Sequence, residues 1–401
     1  MLVTRLAGEL FHRMRQSPMI GEVLAGILLG PSLLGLVNPD ATTEMGLILG
    51  VLAALGIFFL ALTAAMEMGS EGLRQALREG TPIVAATEFI FPFALGFALA
   101  QAMGLSFLTS LFMGTALAVT ALPVSIRIFM DLHQLQTPLG RAVISVAMVN
   151  DVLAFVLLGA ILQLNAAGAT LPLEGIVLGT AKVLVFLGLL LVVGRLVHYR
   201  PAPGAHHPIL QAVAGRMRTS EAPFAVGIIL ALGLGAAAEL VGLHFVIGVF
   251  YAGLLLTPAT LGTGHFIRVQ NTTRGVGFGF LAAVFFAVVG LKVSFVVTNW
   301  PVVILVTGLA FVGKIVGGLI GGALAGFRGR TLAALGVGLN ARGMMELVLA
   351  EVGLAAGIIG PDLYSALVLM TLITTLSTPI LLKVILRIKV PAGAAPDSAY
   401  E

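Results

Sequence analysis

Residues 109–132 read TSLFMGTALAVTALPVSIRIFMDL, and residues 331–354 read TLAALGVGLNARGMMELVLAEVGL. Each stretch is apolar and long enough to cross a bilayer. Each also carries at its middle residues that a continuous helix does not favour. In the first, Pro123 lacks a backbone donor and its ring clashes with the preceding turn. Carbonyls near Thr120 and Ala121 are thereby freed, and Thr120 adds a hydroxyl; a simple proline kink is the alternative reading. In the second, Gly336, Gly338 and Gly343 bracket Asn340 and Arg342 at membrane depth. Non-helical backbone at that depth is tolerated only where it is buried in protein or lines a cavity. Two interrupted spans in corresponding positions point to a transport site at the midplane.

The rest of the chain fits a membrane setting. Only 10% of its 401 residues are charged, against about 25% in a soluble domain. Its 50 glycines are spread along the chain, as expected where small residues let membrane helices approach closely. The net charge of +4 does not suggest nucleic acid, and the absence of cysteine excludes disulfides and thiol chemistry. No cleavable signal peptide is expected. Apolar stretches of about 20 residues occur at 18–37, 44–68, 81–103, 107–131, 139–164, 173–197, 220–242, 244–260, 276–297, 301–325, 331–357 and 361–387. Before them, Leu2 to Phe11 are too short to cross alone.

Charge placement supports this division. Alternate connections carry Arg13 and Arg15; Arg74 and Arg78; Arg141; Arg195, Arg200, Arg216 and Arg218; Arg268 and Arg274; Arg328 and Arg330, and the C-terminal end carries Lys383, Arg387 and Lys389. The other connections carry no Lys or Arg. The positive-inside rule puts the basic connections and the C-terminus in the cytoplasm. Segments 81–164 and 301–387 each hold three spans, with the middle one interrupted, and they enter the membrane from opposite sides. They read as an inverted repeat. The expected fold is all-α, one transmembrane domain over 1–390 followed by a cytoplasmic tail, 391–401. The core is expected at 81–164 and 301–387, with the remaining helices as scaffold.

Few charges fall inside the spans, where each costs about 2.5–3.5 kcal/mol on insertion scales. Asp151, beside Asn150, sits mid-span in AVISVAMVNDVLAFVLLGAIL. A midplane carboxylate can exchange a proton for a cation, two exclusive occupants of one oxygen site. The alternative is a structural carboxylate paired with a buried base. Lys314 is mid-span in VTGLAFVGKIVGGLIGG, and a buried ammonium needs a partner. Asp151 is the first candidate partner and Glu88 the second. Arg342 could neutralise half-helix ends or hold Glu346 at i+4. Arg127 reads as an anchor for the inner half-helix. Lys182 and Lys292, nearer helix ends, read as snorkelling lysines, and Glu351 as solvated or structural. Glu22, Glu67 and Glu239 are given no role.

The runs SPMIGEVLAGILLGPSLLG, TALAVTALPVSIRIF, AMVNDVLAF, FFAVVGLKVSF, VGKIVGG and GLNARGMMELVLAEVG, in this order, resemble the monovalent cation/proton antiporter-2 family. That family includes bacterial sodium/proton antiporters and glutathione-gated potassium efflux transporters, and the resemblance covers essentially the whole chain. It implies a homodimer in which a core domain moves against a dimerisation domain. It also implies that Asp151 is the ion-binding aspartate, Thr120 the broken-helix threonine, Lys314 the core lysine and Arg342 the broken-helix arginine. The chain departs from the family pattern in three ways. Asn150 replaces the first aspartate of electrogenic members. Met344 and Met345 separate Arg342 from Glu346, where two-aspartate members often have a glutamate sooner. The first helix reads as truncated, and no cytosolic nucleotide-binding domain is expected after residue 389. An Asn-Asp pair is seen in electroneutral relatives, but those usually lack the core lysine.

These readings converge on a non-enzymatic Na⁺ or K⁺/H⁺ antiporter of the bacterial inner membrane, needing no cofactor. Its expected ion-binding and proton-carrying groups are Asp151, Asn150 and Thr120, with Asp151 as the metal-ion ligand. Lys314 and Arg342 compensate charge, and Ala121, Pro123 and Asn340 supply broken backbone. With one aspartate, 1:1 electroneutral exchange is expected unless Lys314 releases a second proton when the cation binds. The rivals are a sodium-coupled organic-anion symporter of similar fold and a non-transporting membrane sensor.

Overall fold

The computed structural model describes residues 1–14, 16–40, 42–76, 81–166, 185, 188–190, 192–196, 209–216, 219–241, 243–296 and 298–387. Every regular element among them is helical. Among the described residues, eight helical spans are long and apolar enough to cross a membrane: Glu44–Met68, Thr81–Ala102, Phe107–Asp131, Pro138–Asn165, Ala222–Leu240, Thr263–Leu291, Trp300–Leu324 and Pro361–Leu386. Shorter apolar helices run Pro18–Leu29 and Phe245–Leu255. Arg15, Arg78, Lys182, Arg200, Arg218, Lys389, most of the expected span 173–197 and the tail 391–401 lie outside the described residues.

Three boundaries differ from the hydropathy reading. The span expected at 276–297 begins earlier, as the helix Thr263–Val276 passes through a π-helical turn, Gly277–Leu281, into Ala282–Leu291. Arg268 and Arg274 are thus helical residues, not loop residues. A π turn misaligns backbone carbonyls, and those of Phe278 and Gly279 accept from Arg5, which also pairs with Glu22 at 3.1 Å. The segments 18–37 and 244–260 carry shorter helices than their hydropathy suggests, because Gly30-Pro31 and Thr257-Pro258 stop them.

The helix Trp300–Leu324 packs along Thr81–Ala102, and the latter also packs on Phe107–Ala118. Glycines at i, i+4 and i+8 make the first contact close. A Cβ on Gly313, Gly317 or Gly321 would come within 2.7 Å of Pro92 Cα, Glu88 Cα or Val84 Cα respectively. On the next face of the same helix, a Cβ on Gly318 would meet Gly336 Cα at 2.8 Å. The Lys314 helix is therefore pressed between the Glu88 helix and the second broken span. Elsewhere, Ala282–Leu291 packs on Pro18–Leu29 and on Glu44–Ala76, and Phe245–Leu255 packs on Glu44–Ala76 and on Ala222–Leu240.

Candidate functional site

Both interrupted spans break where the sequence reading places the breaks. Phe107–Ala118 stops, Val119 and Ala121 are extended, and Leu122–Asp131 begins with Pro123 in its first turn. Gly329–Gly338 stops, and Met344–Ala355 starts after Gly343. The breaks meet: the Ala121 amide donates to the Ala341 carbonyl at 2.9 Å. The Thr120 hydroxyl lies 3.2 Å from the Leu339 carbonyl. Two half-helix C-termini and two N-termini thus converge in a fully buried crossing.

The orphan carbonyls of a helix C-terminus need donors. Those of Phe107–Ala118 find them in two buried cations. Arg342 donates to the Ala116 carbonyl at 2.9 Å and to the Leu117 carbonyl at 2.5 Å, and Lys314 donates to the Ala118 carbonyl. The two positive charges offset the negative end of this half-helix dipole. Freed carbonyls at residues 116–118 thus lie upstream of those expected near Thr120 and Ala121 from Pro123. The Ala121 carbonyl is itself engaged by the Ser125 amide at 3.0 Å and hydroxyl at 2.8 Å.

Lys314 pairs with Glu88, not with its first-choice partner Asp151. Glu88 Oε1 accepts from Lys314 and, at 2.7 Å, from the Thr120 hydroxyl, and its Oε2 accepts from Asn150 Nδ2. Lys314 also donates to Thr120 Oγ1 at 2.6 Å. Lys314, Glu88, Thr120 and Asn150 are all wholly buried. Glu88 thus joins the two helices flanking the crossing to the Asn150-Asp151 pair. Its sequence signal was a carboxylate in the apolar run TPIVAATEFIFPF, which supports burial but does not reveal which residues surround it.

Asp151 stands apart from this network. It is fully buried, and neither carboxylate oxygen has a hydrogen-bond partner. Its electrostatic neighbours are Glu346, Lys314 and the Leu122 amide, which lies at the N-terminus of the inner half-helix. Asn150 Oδ1 and Asn340 Oδ1 are also buried without partners, while Asn340 Nδ2 donates to Gly336 O at 3.1 Å. Arg342 approaches Glu346 only to 3.9 Å. Glu346 Oε2 instead caps the Gly343 amide at 2.8 Å.

The other charges settle locally. Lys292, read as snorkelling, pairs with Glu351, whose other oxygen accepts from Tyr364 at 3.2 Å. Glu351 is therefore buried and paired, not solvated. Tyr364 also donates to the Val289 carbonyl at 3.1 Å. This cluster ties the Ala282–Leu291 helix to Met344–Ala355 and Pro361–Leu386. Glu67 pairs with Arg274 at 3.4 Å, and Glu239 is exposed. Arg127 pairs with Asp131 at 3.1 Å and lies 3.3 Å from His12. Both face a cavity also lined by Gln16, Ser17, Lys383 and Thr375. The Thr375 hydroxyl holds the Arg342 carbonyl at 2.7 Å, so this cavity on the basic side reaches up to the second break.

Comparison with known proteins follows the same lines. The model of a family described as sodium/hydrogen exchanger, transmembrane, matches residues 1–388. A Na⁺/H⁺ antiporter of Synechocystis sp. is 32% identical, the match covering 95% of this chain and 94% of that protein. A Na⁺/H⁺-K⁺ antiporter of Bacillus cereus is 26% identical over 96% of this chain and 93% of its own length. A sodium proton antiporter structure from Methanocaldococcus jannaschii superposes with a TM-score of 0.66 at 16% identity, covering 95% of this chain and 93% of that one, so the folds are alike.

Proposed function

This chain belongs to the sodium/hydrogen exchanger family, and from that premise we propose that it exchanges Na⁺ or K⁺ for H⁺ by alternating access around Asp151. The observation that carries this reading is a wholly buried carboxylate with both oxygens unpartnered. An isolated ionised carboxylate in a low-dielectric interior is prohibitively expensive. Asp151 must therefore be neutralised before the site closes, by a proton or by a cation. Asn150 and Asn340 carbonyl oxygens complete an oxygen-rich cradle. A carrier that closes only on one or the other occupant is an antiporter.

Exchange on this reading is 1:1 and electroneutral. Lys314 is held by Glu88, Thr120 and the Ala118 carbonyl. A cation arriving at Asp151 does not remove the partner of Lys314, so no second proton is released. On this reading the cavity beneath Thr375 marks the approach from the basic side, which is the cytoplasmic side by the positive-inside rule. The C-terminus is then cytoplasmic, and the membrane is the bacterial inner membrane. The helices of 81–164 and 301–387 form the moving core, and the others form a scaffold through which two copies dimerise. The organic-anion symporter is disfavoured because Lys314 is engaged by Glu88 and Arg342 by the carbonyls of residues 116 and 117.

The test is purified protein in proteoliposomes carrying an imposed pH gradient. Added Na⁺ or K⁺ salts dissipate the gradient in the wild type, and Asp151→Asn abolishes this while remaining folded. Exchange by the well-folded variant would remove Asp151 from the mechanism. Dissipation driven only by organic anions would favour the symporter, and none at all would favour a sensor.

A further inference from the structure

Five charged side chains are buried around the crossing: Glu88, Asp151 and Glu346, with Lys314 and Arg342. Glu88 spends both oxygens on Lys314, Thr120 and Asn150. Lys314 and the two terminal nitrogens of Arg342 donate to Glu88, Thr120 and the carbonyls of residues 116–118, while Arg342 Nε is buried without a hydrogen-bond partner. Three carboxylates face two cations, so one negative charge is in excess around the crossing. Glu346 uses one oxygen as a cap on Gly343, and its Oε1 has no hydrogen-bond partner although the side chain is buried. The 3.9 Å approach of Arg342 is beyond hydrogen-bond range. A helix cap explains Oε2 and leaves Oε1 unexplained.

The surroundings of Oε1 are those of a cation ligand. Unpartnered buried oxygens from Asp151, Asn150 and Asn340 belong to the same crossing. Glu346 and Lys314 are the charged side chains that act on Asp151. Arg342, 3.9 Å away, lets Glu346 stay ionised, and two carboxylates in one low-dielectric crossing repel unless a positive ion sits between them. We infer that Glu346 is a second carboxylate ligand of the transported cation, acting with Asp151 through Oε1 while Oε2 keeps the half-helix capped. This inference rests on the antiport reading above. It assigns Glu346 a part in setting cation affinity that neither the hydropathy pattern nor an intrahelical pair with Arg342 supplies.

Glu346→Gln separates the two roles, because the amide oxygen still accepts the Gly343 N–H but the charge is gone. In proteoliposomes, the apparent KM for the transported cation should rise about tenfold, the equivalent of ~1.4 kcal/mol of lost attraction, with the maximal rate within about twofold of wild type. Glu346→Asp keeps the charge but shortens the reach, and should give an intermediate KM. It also serves as the readout if the Gln variant does not fold. A wild-type KM for both Na⁺ and K⁺ in these variants overturns the inference, as does a fallen maximal rate at unchanged KM. Asp151→Asn is measured alongside. If it is inactive while the Glu346 variants keep wild-type KM, only the role of Glu346 fails. If Asp151→Asn still exchanges, the antiport reading itself fails.

Discussion

Replacing Glu88 and Lys314 one at a time and then together tests the central ion pair. Both side chains have zero exposure, and the pair shares Thr120 and Asn150 as further partners. Glu88→Gln leaves the Lys314 ammonium buried with only neutral acceptors, the Ala118 carbonyl, the Thr120 oxygen and the new amide oxygen. Removing one partner of a buried pair costs about 3–5 kcal/mol, because the other charge is left uncompensated. Lys314→Gln leaves the Glu88 carboxylate with donors from Thr120 and Asn150, so its cost falls at or below the lower end of that range, about 2–3 kcal/mol. In the double variant, two amides of similar volume face each other with no stranded charge, at a cost of about 1–3 kcal/mol. The sum of the single effects should therefore exceed the double effect by at least about 2 kcal/mol, toward the top of the range for residues in contact. Reversible unfolding of the three variants and the wild type in one detergent, by near-ultraviolet circular dichroism, supplies the cycle. Additivity within about 0.5 kcal/mol would refute the argument that each charge is held in place by the other.

Three further outcomes follow from the same geometry. Pro123→Ala should leave the break open and change the apparent cation KM less than about threefold, because the Ala121–Ala341 hydrogen bond and the two cations on residues 116–118 hold it; a tenfold change would show that proline itself maintains the site. An imposed membrane potential should not shift the exchange equilibrium in proteoliposomes, and a potential-dependent shift would defeat 1:1 exchange and return Lys314 as a second proton carrier. The chain has no cysteine, so Lys292→Cys with Glu351→Cys can be bridged selectively by a short cleavable dithiol-reactive reagent. Bridging should stop exchange and cleavage should restore it, because that contact joins the Ala282–Leu291 helix to a half-helix of the proposed moving core; wild-type exchange in the bridged protein would show that the two helices need not separate.

Asp151, the two breaks and most spans were legible because each rests on a local signal. An isolated carboxylate in an apolar run is costly wherever the run folds, and Pro123 or a Gly-Asn-Arg-Gly cluster interrupts a helix without reference to its neighbours. The partner of Lys314 was not legible, because it depends on how the Lys314 helix is registered against the Glu88 helix. That register is set by the close approach at Gly313, Gly317 and Gly321, and small residues do not specify which helix they receive. The destination of Arg342 was ambiguous for a similar reason: the i+4 spacing to Glu346 was visible, while the carbonyls of residues 116 and 117 lie more than two hundred residues away. The continuation of one helix back to Thr263 was hidden because Arg268 and Arg274 lower local hydropathy in a segment that is nonetheless helical.

The hydrogen bonds between the two breaks bear on how the protein is made. Thr120 waits for Leu339, 219 residues later in the chain, and at about 5–20 residues per second that gap takes the ribosome on the order of 10–45 s. Throughout that interval the first break is complete in sequence, yet the final acceptor of the Ala121 amide and the cations for residues 116–118 have not been synthesised. Exposed backbone of this kind is not stable against lipid. The first half of the protein must therefore be sheltered by water or by the insertion machinery until the second half arrives, and the core closes as one late event once both halves are in the membrane.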